Sequence, residues 1–583
     1  MSSSSPVEIQ PTHLVTTGLN DDRRSFWLLM LFALLVLGAG IGLRDPWPSD
    51  EPRFTLAAKQ MVESGDWLFP HRGTQLYADK PPMLMWMEAA TYEGVRSWRI
   101  AFLLPSLLAG LLSIALTFDL GRRLWNPRVG LFAAGALLVV FQFVYQVKRA
   151  QIDPLVMGWI TLANWGLLIH FLRGPNWRMY WLGCFAAGIG VITKGVGFLA
   201  LLMFVPYLFA RMRGWEVTRT NGKTMHWLGG PLAFVLAIAL WLVPMLLTAT
   251  SRGTAEYAAY VHDILFHQTA GRYSESWSHP QPFWYFVPVV LFNWFPLSLA
   301  YPGVFPRWRN ALRDGDARIL LPLAWAAIVL VFFSIPVGKR DVYVMPLLPM
   351  IALAMGSYLE DIVATRWLRL SAWWIALIGG LAIAGLGVWA LQGHPAAAQM
   401  AERRGMADGA VAVWWMTICA GAAYIVAALA FRPKRGAHAL LAGTAVFWCV
   451  WSFWAYPVLN DSSSSVGIMR HAGQLIGPES DLGLVGWKEQ NLLMADRRAR
   501  DFGFLSPTAQ QFALATRWQA QIPEHRWVFA IEDAIGNCVD RSRAQRVGVA
   551  NRRTWWVYPY AAVIPGCVPV PAADANKPDE SGM

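Results

Sequence analysis

The chain has 583 residues, of which 55% are hydrophobic and only 15% charged, and its mean hydropathy is positive. Apolar runs of about 18 residues or more recur along it, which excludes an ordinary soluble enzyme and predicts a polytopic α-helical membrane protein. The net charge of +12 does not indicate nucleic-acid binding, because the basic residues stand in short clusters between apolar runs, as the positive-inside rule expects.

The chain begins with a polar, serine-rich stretch, residues 1–25, for which we predict a disordered cytoplasmic tail. No small-residue cleavage site follows the first apolar run, so we expect this run to stay in the membrane as an anchor. A transmembrane domain is predicted over residues 26–456. Its spans, about thirteen in number, are expected at 26–43, 99–118, 129–146, 155–172, 179–192, 198–210, 228–249, 285–304, 319–335, 342–359, 370–391, 411–431 and 438–456.

Alternate loops between these runs are short and basic, which is typical of cytoplasmic loops. Their charges are Arg122, Arg123, Arg128, Arg173, Arg178, Arg211, Arg213, Arg219, Lys223, Arg307, Arg309, Arg313, Arg318, Arg366, Arg369, Arg432, Lys434 and Arg435. With a cytoplasmic N terminus, an odd number of spans places the chain after residue 457 outside the cytoplasm. The C-terminal part is therefore expected on the side of the membrane opposite the cytoplasm.

The first outside loop, residues 44–98, is long and carries charges of both signs. It contains Ser49-Asp50-Glu51-Pro52-Arg53 directly after the first apolar run, and Tyr77-Ala78-Asp79-Lys80-Pro81-Pro82 further on. Charges held at a bilayer surface are costly, so we interpret these motifs as part of an active site.

Further charges fall in the other outside loops, on the same side of the membrane. They are Lys148, Arg149, Asp153, Lys194, Lys339, Arg340 and Asp341. This one-sidedness argues against a transporter, whose polar sites lie near the midplane in broken helices. The short runs 179–192 and 198–210 around Lys194 nevertheless keep a lipid or sugar transporter as the alternative from another class.

After the last apolar run the composition becomes mixed and polar, and we predict a small periplasmic α/β domain over residues 457–571. Leu482–Gly486 and Trp527–Ile531 have the pattern of strands, and Ala509–Ala520 that of a helix. Residues 572–583 are expected to be disordered. Cys538 and Cys567 are the two cysteines of this domain, and an oxidising compartment would allow a disulfide between them.

The order of motifs resembles that of the GT-C membrane glycosyltransferases that use polyprenyl-phosphate sugars, above all the bacterial lipid A aminoarabinose transferase group, which is related to the protein O-mannosyltransferases. The resemblance covers roughly residues 26–360. The matching residues are Asp50-Glu51-Pro52-Arg53-Phe54, Ser64-Gly65-Asp66-Trp67, Tyr77-Ala78-Asp79-Lys80-Pro81-Pro82, Arg149, Asp153, Thr193-Lys194-Gly195, Ser334, Lys339, Tyr343, Pro346 and Pro349. One departure is Lys339-Arg340-Asp341, where relatives often have Lys-Leu-Pro.

The resemblance implies that Asp50 is the catalytic carboxylate, which accepts or orients the acceptor proton while the acceptor oxygen attacks the anomeric carbon. The alternative for Asp50 is a helix N-cap, because Glu51-Pro52-Arg53 has the pattern of a first helical turn. Glu51 is the second catalytic candidate, with a supporting role in holding Asp50 or Arg53 as its alternative.

The leaving lipid phosphate requires positive charge, and Lys80 is the first candidate because Pro81-Pro82 fixes the backbone that follows it. Further candidates for the donor phosphate or lipid are Arg53, Arg149, Lys339, Arg340 and Tyr343, with Asp79, Asp153 and Lys194 in support. For the basic residues, the alternative is contact with anionic headgroups, and for Tyr343 a place in the aromatic belt.

No cofactor is expected to be required. A divalent ion is an alternative, with His262, His267, His279 and Asp263 as ligands and further oxygens from Asp50 and Glu51, although no compact ligand spacing is present. The resemblance thus implies a glycosyltransferase of a bacterial inner membrane, with its C-terminal domain in the periplasm, that moves a sugar from a polyprenyl phosphate to lipid A or another envelope glycolipid. A protein hydroxyl is the alternative acceptor, and the identity of the sugar and the oligomeric state are left open.

Overall fold

A computed structural model describes residues 19–220, 224–266, 280–406 and 409–569, with side chains from residue 23 onward. A helical bundle comes first, and a small α/β domain follows it. The helices of the bundle and its loops are α1 (Leu19–Gly38), α2 (Glu51–Ser64), α3 (Met83–Val95), α4 (Trp98–Ala101), α5 (Leu104–Leu124), α6 (Pro127–Val139), α7 (Phe141–Val147), α8 (Ile152–Leu172), α9 (Trp177–Lys194), α10 (Phe204–Met212), α11 (Thr224–Arg252), α12 (Ala255–His262), α13 (Phe286–Pro288), α14 (Tyr301–Arg313), α15 (Ala317–Ser334), α16 (Leu348–Ala364), α17 (Arg366–Leu391), α18 (Pro395–Arg403), α19 (Ala410–Phe431), α20 (Gly436–Val450) and α21 (Tyr456–Ser464).

Helical structure is present at each of the thirteen predicted apolar runs. Eight helices of the described chain are long and apolar enough to cross a membrane, and up to ten if each of two bent pairs is one span. The bent pairs are α6 with α7, at 70°, and Phe286–Asn293 with Leu297–Arg313, at 97°. The polytopic prediction is confirmed, whereas the count of thirteen stays a prediction, because α1, α9 and Gly197–Met212 are shorter or more polar than a full span requires.

Buried apolar side chains fill the centre of the bundle, and large apolar side chains such as Leu232, Leu236 and Leu240 of α11 are exposed on its outside. Because water penalises such an apolar surface, this exposure fits a helix that faces lipid.

The C-terminal part folds around a five-stranded sheet, whose strands lie in the order β4 (Ala499–Asp501), β3 (Asp481–Val485), β5 (Arg526–Ile531), β7 (Arg553–Pro559) and β6 (Gln545–Ala550). Strands β3, β4 and β5 are parallel, and β7 is antiparallel to both β5 and β6. After a two-stranded hairpin in the first loop, β1 (His71–Arg72) and β2 (Gln75–Leu76), the remaining elements are α22 (Val466–Ile476), β3 (Asp481–Val485), α23 (Glu489–Leu493), β4 (Ala499–Asp501), α24 (Thr508–Gln521), β5 (Arg526–Ile531), α25 (Glu532–Ile535), β6 (Gln545–Ala550) and β7 (Arg553–Pro559).

The α/β architecture predicted for this part is confirmed, since β3, β5 and α24 lie where the sequence pattern places two strands and a helix. Cys538 and Cys567 form a disulfide, with their Cα atoms 5.3 Å apart. The domain boundaries at 457 and 571 stay predictions, as does the periplasmic location, and residues 1–18 and 570–583, which hold most of both predicted tails, lie outside the described ranges.

The C-terminal domain is packed directly on the first loop of the bundle. Helix α23 lies against α2, and Leu56 of α2 is buried in the apolar core of the domain. Thr74 donates a hydrogen bond to Asp501, with the two oxygens 2.8 Å apart. The loop that carries the predicted active-site motifs is therefore held between the membrane bundle and the α/β domain.

Candidate active site

Helix α2 is positioned by a buried ion pair between Arg44 and Glu51. The guanidinium donates two hydrogen bonds to the carboxylate, with nitrogen–oxygen distances of 2.5 and 2.7 Å, and both side chains are buried. The backbone N–H groups of Trp47 and Ala150 also donate to Glu51, at 2.7 and 3.0 Å. Arg149 lies 3.9 Å away. Because its oxygens are occupied in this way, Glu51 is suited to hold the loop in place rather than to accept a substrate proton.

Asp50 stands at the N-cap position of α2, but its side chain makes no capping hydrogen bond. Its carboxylate is instead paired with two guanidinium groups, that of Arg53 at 3.7 Å and that of Arg340 at 3.5 Å. The alternative interpretation, in which the Asp50 side chain caps the helix, is therefore wrong. Asp50 is a half-buried carboxylate held by cations at the start of a helix.

Charge around Asp50 keeps this carboxyl group ionised. Burial alone would raise the pKa of Asp50, but the positive charges of Arg340, Arg53, Arg149 and Lys194 outweigh it and lower the pKa below its ordinary value. A carboxylate of this kind is charged throughout the neutral range, so it can accept a hydrogen bond from an acceptor group at any physiological pH.

A second group of charges lies close by, at the ends of α8 and α9. The ammonium of Lys194 forms an ion pair with Asp153 and lies 4.9 Å from the centre of the Tyr343 ring. Arg149 accompanies it, and its guanidinium donates a hydrogen bond of 3.0 Å to the hydroxyl of Tyr145. Residues from three separate segments, 145–153, Lys194 and Tyr343, thus meet beside Asp50.

The loop that contains Lys80 is connected to Asp50 through a run of charges. Arg72 lies 3.9 Å from Asp79 and 3.4 Å from Glu489 of the C-terminal domain, and the same Glu489 oxygen accepts a hydrogen bond of 3.1 Å from Arg53. Lys80 is half-buried next to Asp79 in this loop. Arg53 is consequently shared between Asp50 and Glu489.

Tyr77 lies between these two groups of charges. Burial raises the pKa of its hydroxyl, and the charges that act on it include those of Arg53, Asp79 and Asp50. Its hydroxyl oxygen has no hydrogen-bond partner among the described residues. Tyr77 is therefore a buried neutral phenol whose hydroxyl is not engaged by another described group.

Lys339 and Arg340, which are both predicted from the sequence to bind the donor phosphate, have different surroundings. The ammonium of Lys339 is buried and donates to the carbonyl oxygens of Gln281 and Pro336, at 3.1 and 2.5 Å. Arg340 reaches Asp50 instead. Arg340, one of the two residues by which this chain departs from the Lys-Leu-Pro pattern, is therefore the one that contacts the candidate catalytic carboxylate.

Three residues of this site are missing from the sequence prediction, namely Arg44, Arg72 and Glu489. Arg44 stands seven positions before Glu51, just ahead of the motif. A charged residue at the end of an apolar run is a signal that could have identified it. Glu489 has no such signal, because it comes from another domain.

The proposed metal ligands do not come together in the described part of the chain. There, no group of three or more His, Cys, Asp or Glu residues has the geometry to hold an ion. His262 ends α12, while His267 and His279 lie outside the described residues. A bound divalent ion therefore stays a prediction.

Comparison with known proteins finds sequence similarity to membrane glycosyltransferases. Residues 79–242 match a family described as dolichyl-phosphate-mannose-protein mannosyltransferase. An undecaprenyl phosphate-α-4-amino-4-deoxy-L-arabinose arabinosyl transferase of Pectobacterium carotovorum is 29% identical over 73% of this chain and 74% of the relative. The enzyme of the same name from Edwardsiella ictaluri is 31% identical, over 64% and 66%.

A solved structure has the same fold. The crystal structure of ArnT from Cupriavidus metallidurans bound to undecaprenyl phosphate aligns with 92% of this chain and 99% of its own, with a TM-score of 0.68 and 20% identity. The apo form of the same protein gives the same score and identity. The structural likeness thus extends over the bundle and the C-terminal domain together.

Proposed function

We propose that this chain, a relative of the undecaprenyl phosphate aminoarabinose arabinosyl transferases with the GT-C fold, is an inner-membrane glycosyltransferase that uses an undecaprenyl-phosphate sugar. The acceptor is lipid A or another envelope glycolipid. The names of its relatives favour 4-amino-4-deoxy-L-arabinose as the sugar. The single observation that carries the proposal for the site is Asp50, an ionised carboxylate that does not cap its helix and is surrounded by arginines.

The reaction is a displacement at the anomeric carbon. An acceptor oxygen forms a bond to that carbon as the bond to the donor phosphate oxygen breaks, and the phosphate leaves with the electron pair. Asp50 orients the acceptor and takes the proton if the acceptor is a hydroxyl group. Placement of the acceptor next to the donor is itself a large part of the rate enhancement.

Positive charge stabilises the leaving phosphate, because negative charge develops on its oxygen as the bond breaks. Lys80 is the residue that we assign to this phosphate, with Arg53, Arg340 and Arg149 as the neighbouring cations. Lys194, with Asp153 and Tyr343 in contact with it, belongs to the same basic surface. Glu51 acts as a positioning residue through Arg44, and Lys339 fixes its own loop through backbone carbonyl groups.

We assign the reacting side to the periplasm, with the C-terminal domain on that side. The donor has a long apolar chain, so it can reach the site only from within the bilayer, between helices of the bundle. Charged residues at the helix ends then meet its phosphate at headgroup depth without crossing hydrocarbon.

The test is transfer by the purified full chain in nanodiscs, with undecaprenyl phosphate-4-amino-4-deoxy-L-arabinose as donor and lipid A as acceptor. Mass spectrometry should show lipid A that has gained the sugar. Asp50→Asn should abolish the gain while the protein stays folded and inserted, whereas near wild-type turnover of this variant would remove Asp50 from the mechanism.

A protein acceptor is the second candidate, and the description of the family matched by residues 79–242 is what favours it. Membranes from cells with and without the gene distinguish the two candidates by mass spectrometry of lipids and of proteins. Sugar gained on proteins alone would replace the lipid acceptor, and no sugar transfer to either class would leave the transporter alternative.

A further inference from the structure

A cavity of about 250 Å³ lies beside Glu51, and of the residues that we assign to the donor phosphate Arg149 alone lines it. Three parts of the chain meet there: the membrane bundle, the segment between α17 and α19, and the hairpin formed by β6 and β7. Its volume suits a headgroup-sized ligand, since pockets for larger organic ligands begin at about 300 Å³.

Three arginines give the cavity an excess of positive charge. Arg149 comes from the bundle, Arg404 from the segment that follows α18, and Arg552 from the β6–β7 turn. The acidic residue among the lining residues is Glu51, and the buried pair with Arg44 neutralises it. Within the described ranges no carboxylate lies within 4 Å of Arg404 or Arg552.

The walls of the cavity are held in place by contacts between the segments. A Cβ atom at Gly405, where φ is 67°, would lie 2.4 Å from the carbonyl oxygen of Val549, so the loop is packed tightly on strand β6. Asn551 and Arg552 both have positive φ, of 51° and 63°, in the turn of the hairpin. The side-chain amide of Asn551 donates to the hydroxyl of Ser465 at 3.2 Å. The two arginines are therefore brought together by packed backbone.

The cavity also adjoins the candidate catalytic residue. Ser49, the neighbour of Asp50 in the chain, lines it, and the charge of Arg149 helps to lower the pKa of Asp50. Trp47 and Trp451 add aromatic surface, against which the face of a sugar ring can pack. Ser462, whose hydroxyl donates to the carbonyl oxygen of Leu459, and Ser463 also line the cavity.

We propose that this cavity is a second phosphate-binding subsite, which takes a phosphate monoester on the headgroup of a membrane lipid. Planar guanidinium groups match phosphate oxygens in pairs. Arg404 and Arg552, which have no carboxylate within 4 Å in the described chain, favour a dianion together with Arg149. The proposal rests on the proposed function for its source: the phosphate is that of the acceptor glycolipid, because the donor phosphate is assigned to the Lys80 side.

A binding experiment tests the subsite independently of catalysis. The full chain in nanodiscs is titrated with lipid A, with dephosphorylated lipid A and with undecaprenyl phosphate, and the fluorescence of its tryptophans reports binding. In the double variant Arg404→Gln/Arg552→Gln, we expect the Kd for lipid A to rise about tenfold or more, because two charge-assisted hydrogen-bonding groups are lost. The Kd for the dephosphorylated lipid should be the same for both proteins.

The matched control is Arg498→Gln/Arg517→Gln, which removes two exposed arginines of the same domain that do not line the cavity. A rise in Kd for undecaprenyl phosphate instead of lipid A would keep the phosphate subsite and assign it to the donor. Equal binding of all three lipids by the double variant and its control would overturn the subsite. If the wild type binds lipid A in this manner but transfers no sugar, the proposed function fails and the subsite stands.

Discussion

Glu489 of the C-terminal domain accepts a hydrogen bond of 3.1 Å from Arg53, a residue 436 positions earlier in the chain that also pairs with Asp50. The same carboxylate oxygen lies 3.4 Å from Arg72, and the Glu489 side chain is 6% exposed. A single buried carboxylate thus balances two arginines of the first loop. The α/β domain helps to set the position of the arginine that faces the candidate catalytic carboxylate.

Glu489→Gln should lower kcat about tenfold or more with a small change in KM, because Arg53 loses one of its two carboxylate partners and shifts relative to Asp50. Charge-assisted hydrogen bonds contribute about 1.5–3 kcal/mol each, which sets this scale. Steady-state transfer kinetics measure the effect. Glu524→Gln, an exposed carboxylate of the same domain, is the matched control. A variant with the kcat of this control would show that the domain does not position Arg53.

The pH dependence of transfer should respond to Arg340, because this guanidinium lies 3.5 Å from Asp50 and helps to lower the pKa of its carboxyl group. Asp50 is ionised, and therefore active, at a pH above the pKa that its carboxyl group has in the folded protein. The ionised form is lost as the pH falls through that pKa. In the wild type, protonation of Asp50 should therefore reduce activity only at a lower pH than for an ordinary aspartate.

Arg340→Gln should raise the pKa of Asp50 and move the acidic limb of the kcat profile to higher pH. Arg470→Gln, which removes an exposed arginine paired with Asp461, is the control. An unchanged acidic limb in Arg340→Gln would mean that the activity does not depend on ionised Asp50.

Lys80→Ala should raise the KM for the undecaprenyl-phosphate donor by about tenfold or more and affect the KM for the acceptor less, since the lost ammonium acts on the donor phosphate. Varying each substrate in turn separates the two constants. Lys59→Ala removes a lysine of the same loop that pairs with Glu63 on the surface, so it controls for net charge. Equal effects on both substrates would contradict the assignment of Lys80.

Sequence patterns predict the apolar runs and the first motif well, because membrane spans and helix starts are local properties. They cannot separate Lys339 from Arg340, since two adjacent cations look the same until the loop geometry directs one towards carbonyl groups and the other towards Asp50. The role of Glu489 cannot be predicted from the sequence, because Arg53 and Arg72 become its neighbours only when the two domains pack. Long-range contacts of this kind depend on tertiary structure rather than on spacing.

The pair of Arg44 and Glu51 should be required for stability. Glu51→Gln leaves a buried guanidinium without its counter-charge, and the loss of one partner of a buried pair costs about 3–5 kcal/mol. The thermal unfolding midpoint of the purified protein should fall clearly. Glu63→Gln on the exposed side of the same helix is the control, with little or no change expected. An equal midpoint in both variants would show that α2 does not depend on this pair.

Sidedness underlies every functional assignment, because the donor, the acceptor and the charged site must meet on one face of the membrane. Single cysteines at Glu63 in the first loop and at Ala513 in the C-terminal domain, both exposed, report on the predicted outside. Arg309, on a predicted cytoplasmic loop, reports on the other side. Cys184, Cys419 and Cys449 are first replaced, and the Cys538–Cys567 disulfide stays oxidised and unreactive.

An impermeant thiol reagent should label Glu63→Cys and Ala513→Cys in intact spheroplasts, and Arg309→Cys only after lysis. The reason is the distribution of charge: short basic loops stay in the cytoplasm, so the faces that carry Asp50 and the α/β domain lie opposite them. If either outside position is labelled only after lysis, the topology is wrong. The proposal of a periplasmic acceptor would then be wrong as well, because lipid A exposed in the periplasm could not reach a site on the cytoplasmic face.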